Sequence, residues 1–98
     1  MAPDRSDDVL IAIEGPATIY EAKALRQTLL QGLIKEGTIH IDLADSGKWD
    51  LAGLQLLISI IRTARNQGRT ARLHRVTRIC AEVAERSGLT DWLRSVSE

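Results

Sequence analysis

Residues 38–68 read TIHIDLADSGKWDLAGLQLLISIIRTARNQG. The start of the stretch alternates, with Ile39, Ile41 and Leu43 set against Thr38, His40 and Asp42. That period of two predicts a strand with one apolar face. ADSGK, residues 44–48, has the composition of a turn. From Asp50 to Gly68 the period changes to that of a helix. Leu51, Leu54, Leu57, Ile58, Ile61 and Ala64 form a core stripe, and Leu56 and Ile60 fall outside it. Apolar positions then cover roughly 220° of the wheel, wider than the stripe of an ordinary surface helix. Either this helix is wedged between a sheet and other helices, or the edge with Leu56 and Ile60 meets another protein.

Its first turn carries two further signals. Asp50 is a good N-cap, because its carboxylate accepts from the orphan N–H groups and sits well against the helix dipole. Gly53 costs about 1 kcal/mol relative to Ala inside a helix. Such a cost points to close backbone approach, by a neighbouring strand or by a partner.

Working outward, the same two periods recur. Val9, Ile11 and Ile13 predict a strand closed by Gly15 and Pro16. Ala22, Leu25, Leu29, Leu33 and Ile34 predict an inward helical face over 19–35, stopped by Gly37. A third strand is expected over 70–76, with Ala71 and Leu73 inward. Thr77 is expected to cap a helix that runs to Ser87, with Ile79, Cys80, Val83 and Ala84 inward and Gly88 as its stop. Thr90 is expected to cap a last short helix. The order β-α-β-α-β-α-α indicates an α/β domain. Strands buried on both faces read as continuous apolar runs, whereas these alternate. Helices are therefore expected mainly on one face of the sheet, against a doubly wound nucleotide fold.

The 98 residues fit a single domain, 1–98. Formal net charge is zero, with 13 basic and 13 acidic groups, which gives no global pull toward nucleic acid or membrane. Cys80 is the only cysteine, so no intramolecular disulfide forms and a reducing, cytoplasmic setting is expected. The beginning, MAPDRSDD, has no apolar segment of a signal peptide behind it, and no run reaches the roughly 20 residues of a membrane span. No direct membrane insertion is expected.

Three stretches together resemble a STAS domain, the fold of anti-anti-sigma factors and of STAS proteins found with chemotaxis and phospholipid-transport systems. IEGPATIYEAKALRQTLL looks like the family's first strand, polar loop and first helix. IHIDLADSGKWDLAGLQLL looks like its central strand and signature loop, and GRTARLHRVTRICAEVAERSGLTDWL like its closing strand and helices. The resemblance covers 9–93, leaving 1–7 as an expected flexible N-terminus. It implies a mixed β-sheet with helices mainly on one face. It also implies a bacterial regulatory protein, an anti-sigma factor antagonist, that binds a histidine-kinase-like ATPase or chemotaxis partner through the loop and helix at 50–60. The alternative is a stabilising subunit of an ABC phospholipid transporter, bound to its ATPase; a third possibility is a sensor that takes a small ligand or lipid at the sheet edge. In the anti-anti-sigma branch the residue after the signature Asp is a phosphorylated Ser or Thr. Here that position is Leu51, which accepts no phosphoryl group, so docking is expected to be constitutive, or regulated by abundance or at another site. The expected partner-binding residues are Asp50, Leu51, Ala52, Gly53, Leu54, Leu56, Ile60 and Tyr20, and a homodimer through Leu56 and Ile60 is open.

Arg62, Arg65, Arg69, Arg72, Arg75 and Arg78 form a basic run without aromatic stacking platforms, which reads as a solvated or docking rim rather than a nucleic-acid surface. His40 and His74 fall on outer strand faces without clustered ligands, so no metal is expected. Cys80 has no His–acid arrangement beside it and reads as a small core residue. Trp49 reads as core packing under the loop, or as an exposed interface anchor. With no phosphate-binding Gly-rich loop and no catalytic constellation, the chain is expected to be a non-enzyme without cofactors.

Overall fold

The computed structural model describes residues 8–98; the expected flexible segment 1–7 lies outside the described residues. The elements run β1 (Val9–Ala12), β2 (Gly15–Ala17), α1 (Ala22–Ile34), β3 (Ile39–Asp42), β4 (Ser46–Trp49), α2 (Leu51–Asn66), β5 (Ala71–His74), α3 (Arg78–Arg86) and α4 (Thr90–Val96). Strands β1, β3 and β5 form one sheet in the order β1-β3-β5, and β2 pairs with β4. The resemblance implied a mixed sheet; the strand pairings among the described residues are all parallel.

Two expectations change here. Gly15-Pro16 and residues 44–48 are not simple stops. After β1 and β3 the two chains bend and pair again as β2 and β4, with Ile13 N–H donating to Asp42 O and Gly15 N–H to Asp45 O across the bend. A slip in register between Gly15↔Ser46 and Ala17↔Trp49 absorbs the irregularity. Segments of three and four residues, each holding one glycine, carry no readable period, so only the pairing across the chain reveals them as strands.

The alternation of the main strands holds. Val9, Ile11, Ile39, Ile41, Ala71 and Leu73 are buried, while Leu10, Ala12, His40, Asp42, Arg72 and His74 take the opposite face. Helix α1 lies on β1 and α2, and α2 lies on β4, β5 and α3. One apolar cluster joins the sheet's buried face to Leu25 and Leu29 of α1, to α2, and to Cys80, Val83 and Ala84 of α3. A fully buried Leu or Ile contributes about 1.5–3 kcal/mol.

Cap chemistry fixes the helix ends. Thr77 Oγ1 accepts from Cys80 N–H, as expected. Thr90 does not cap α4; it lies inside the helix, whose N-cap is Leu89 with no side-chain bond. α2 and α3 both close with paired backbone bonds, Arg69 N–H to Ala64 O with Gly68 N–H to Arg65 O, and Leu89 N–H to Ala84 O with Gly88 N–H to Glu85 O. That pairing needs a left-handed residue, supplied by Gly68 (φ 75°) and Gly88 (φ 71°).

The apolar inventory needs three corrections. Ile60 is buried, not at a free edge; α2 is covered by the sheet on one side and by α1 and α3 on the others, which accounts for its wide stripe. Ile79 and Ile34, expected inward, are exposed. Each sits at an end of its helix, where the neighbouring elements no longer cover it. Leu51, placed in the core stripe, is also exposed, at the first position of α2.

Cys80 lies in the core, and burial pushes its thiol up to about 11. We expect no reaction of the native protein with a thiol reagent at pH 8, and stoichiometric reaction once denaturant unfolds it. Fast labelling of the folded chain would contradict the placement.

Candidate docking surface

Strand register assembles the surface. Ala17 of β2 pairs with Trp49 of β4, so the next residues on the two chains, Thr18 and Asp50, leave the ladder side by side. One chain enters the turn before α1 and the other enters α2. Asp50 ties the two together. Its Oδ1 accepts the Gly53 N–H at 3.1 Å, capping α2, and its Oδ2 accepts the Ile19 N–H at 2.9 Å, holding the turn. One carboxylate thus satisfies an orphan donor of a helix and pins a loop 31 residues away in sequence.

The turn carries its own clip. Glu21 Oε1 accepts from Thr18 N–H at 2.9 Å and from Thr18 Oγ1 at 2.6 Å, and Thr18 Oγ1 accepts from Tyr20 N–H at 3.3 Å. These hydrogen bonds from Thr18 hold the Glu21 carboxyl below its ordinary value. The Thr-x-x-Glu spacing is that of a capping box, a signal legible in the sequence, although α1 itself starts only at Ala22.

The clip and the bridge leave apolar side chains facing outward. Tyr20 is 92% exposed, Ile19 61% and Leu51 44%. Ala52 and Leu56 are half-buried, Leu56 resting against the core. Of the expected contact residues, Asp50, Leu51, Ala52, Leu56 and Tyr20 therefore reach or border the surface. Gly53, Leu54 and Ile60 are buried and cannot touch a partner directly. Ile19 joins the exposed residues: it lies in the turn between β2 and α1, an apolar residue with nothing of its own helix to cover it.

Gly53 has an internal reason. A Cβ on it would stand 2.1 Å from Ala17 O and 3.0 Å from Trp49 Cε3. The close approach anticipated from the sequence is therefore made by strand β2, not by a partner. Trp49 is core, with its Nε1–H donating to Ser46 Oγ at 2.9 Å, and Ser46 Oγ donating to Leu43 O at 2.7 Å. Buried there, it is no interface anchor.

Three arginines of the run carry structural duties. Arg69 donates to Leu33 O and Gly37 O behind α1, each at 3.0 Å. Arg72 donates to Ser95 O at 3.1 Å. Arg75, at φ 53°, turns back from the end of β5 onto Asp42, and this ion pair keeps the Asp42 carboxyl below its ordinary value. On the open face of the sheet His40 and His74 meet, with Nδ1 and Nε2 2.8 Å apart, and His40 Nε2 lies 3.2 Å from Asp8 Oδ2. The sequence reading kept the two histidines separate. Among the described residues no three His, Cys, Asp or Glu side chains gather as a metal-binding group, and no helix is long and apolar enough to cross a membrane.

Comparison with known proteins adds a family. The family model described as "Mlab, STAS domain" matches residues 1–95. Solved structures share the fold, two of them from transporter proteins. A sulfate transporter family protein from Wolinella succinogenes superposes with a TM-score of 0.73 at 16% identity, over 94% of this chain and 76% of that one. The STAS domain of a SulP transporter from Vibrio cholerae gives 0.66 at 17% identity, over 99% and 75%. No curated protein matches the chain by sequence.

Proposed function

The chain belongs to the STAS domain family, and from that premise we propose that it acts, as one non-catalytic domain, by docking a protein partner on the surface of Ile19, Tyr20, Leu51, Ala52 and Leu56. One observation carries the reading. Asp50 holds the turn bearing Ile19 and Tyr20 against the start of α2, so three large apolar side chains stand exposed on a rigid frame. Exposed aromatic and aliphatic groups on an ordered backbone bind at low cost in conformational entropy. The partner we favour is a histidine-kinase-like ATPase of the anti-sigma or chemotaxis type, held here and thereby kept from its other target. Leu51 stands where a phosphoswitch would need a hydroxyl, so docking is constitutive and controlled by abundance. Clean phosphoryl transfer to Ser46 or Ser59 by a purified partner kinase would end that part of the reading.

A second reading has its own support. The matching family is described by the name Mlab. The partner would then be the ATPase subunit of an ABC phospholipid transporter.

A pull-down from the native cell tests both, with wild type, Leu51→Glu and Tyr20→Ala as baits. All three should fold alike, since the altered side chains are exposed. Truncating a contact of this kind costs about 1–2 kcal/mol, so capture through Tyr20→Ala should fall about tenfold; Leu51→Glu, which places a charge in the contact, should abolish it. Loss of a kinase-like ATPase or chemotaxis protein supports the first reading, and loss of an ABC ATPase the second. Equal capture by all three baits would move the docking surface elsewhere.

A further inference from the structure

We propose that His40 and His74 form a two-nitrogen chelate for one divalent ion of the nickel(II) or copper(II) class on the open face of the sheet, with Asp8 as a positioning residue. This inference is independent of the docking surface. Parallel pairing puts His40 opposite Arg72 and Asp42 opposite His74, so the two histidines are diagonal neighbours on the same face. Their nitrogens, His40 Nδ1 and His74 Nε2, approach to 2.8 Å.

Asp8 fixes which nitrogen of His40 is free. A carboxylate only accepts, so His40 Nε2, 3.2 Å from Asp8 Oδ2, carries the proton in the neutral ring and Nδ1 keeps its lone pair. The carboxylate behind a histidine is the usual outer partner of a metal-ligating imidazole, setting its tautomer and raising its basicity. In the empty pair His74 Nε2–H donates to that lone pair. On chelation both rings swing about their soft terminal torsions to face the ion. The proton of His74 moves through solvent from Nε2 to Nδ1, the ring stays neutral, and no electron is transferred.

Ligand type selects the ion. Two neutral imidazole nitrogens with no thiolate beside them suit nickel(II) and copper(II), which stand high in the affinity order of divalent first-row ions for nitrogen sites. The remaining positions open into a depression of about 470 Å³ floored by Leu10, Ile11 and Ala12. Water, at about 30 Å³ per molecule, has ample room there to complete the coordination. Two protein ligands with water make an exchangeable site, not a structural one.

Calorimetric titration of the full, tag-free chain with nickel(II) chloride tests the site. Wild type should take one ion per chain. His40→Gln and His74→Gln should each weaken binding more than tenfold, and Asp8→Asn should keep the stoichiometry but lose about tenfold in affinity. Wild type that takes no ion, or either histidine variant that binds as tightly as wild type, overturns the chelate. Unchanged affinity in Asp8→Asn overturns the positioning role. If a histidine variant fails to fold, electron paramagnetic resonance of copper(II)-loaded wild type replaces it. Coupling to two imidazole nitrogens supports the site, and any other donor set overturns it.

Discussion

Gly53→Ala is expected to destabilise the protein by at least about 3 kcal/mol, because overpacking a tight contact commonly costs 1–3 kcal/mol and here the obstruction is backbone. Propensity alone predicts the opposite sign. Alanine improves on glycine inside a helix by about 1 kcal/mol. The clash wins because a Cβ at residue 53 would lie 2.1 Å from Ala17 O, an atom of the β2 backbone that no rotamer change can remove. Helix α2 or strand β2 must shift, and both are fixed by the ladder to Trp49. For a domain of this length a loss of that size lowers the melting temperature by roughly 12 °C or more. Gly32→Ala is the internal control. The Cβ there meets the tip of the Ile11 side chain, which can rotate, so its loss should be smaller. Denaturant unfolding of both variants decides the matter; Gly53→Ala within about 1 kcal/mol of wild type would mean that the α2–β2 contact is looser than described.

Asp50→Ala is expected to cost about 2 kcal/mol, since it removes a helix cap and a second charged hydrogen bond to a backbone amide. Both acceptor oxygens are in use, Oδ1 for Gly53 and Oδ2 for Ile19. Asp50→Asn keeps one accepting oxygen and turns an N–H₂ group toward the other amide, so it should lie between alanine and wild type. Stability is only half of the expected effect. Without the bond to Ile19 the turn with Tyr20 loses its tether to α2, and partner capture should fall further than the stability loss explains at temperatures where the variant is folded. Amide exchange provides the direct measurement: the Ile19 and Gly53 amides should lose protection together. Loss at Gly53 with Ile19 unchanged would show that the turn is held by its Thr18–Glu21 clip alone.

The site was partly legible. Asp50 as a cap, Tyr20 on the bordering turn and Leu51 as an apolar residue at the helix start were all readable, because each follows from local spacing and residue type. Leu54 and Ile60 were misplaced for a physical reason. A helical wheel says which side chains share a stripe, but not how many neighbours surround the helix, and α2 is covered on several sides. The Gly53 signal was read as close approach from its cost, yet the approaching atom is 36 positions earlier and could not be named.

Local sequence determined the order of the three main strands and the helices, the α/β class, the apolar face of each main strand, the Asp50 and Thr77 caps and the glycine stops after α2 and α3. All of these rest on interactions within a few residues, which period and composition report. Tertiary structure alone decided the β2–β4 ladder, the contact of Gly53 with Ala17, the bridge from Asp50 to Ile19 and the meeting of His40 with His74. Each of these joins segments about 30 residues apart through parallel strand register, and register is set by how the buried faces of the strands fit together, a property that no single segment carries.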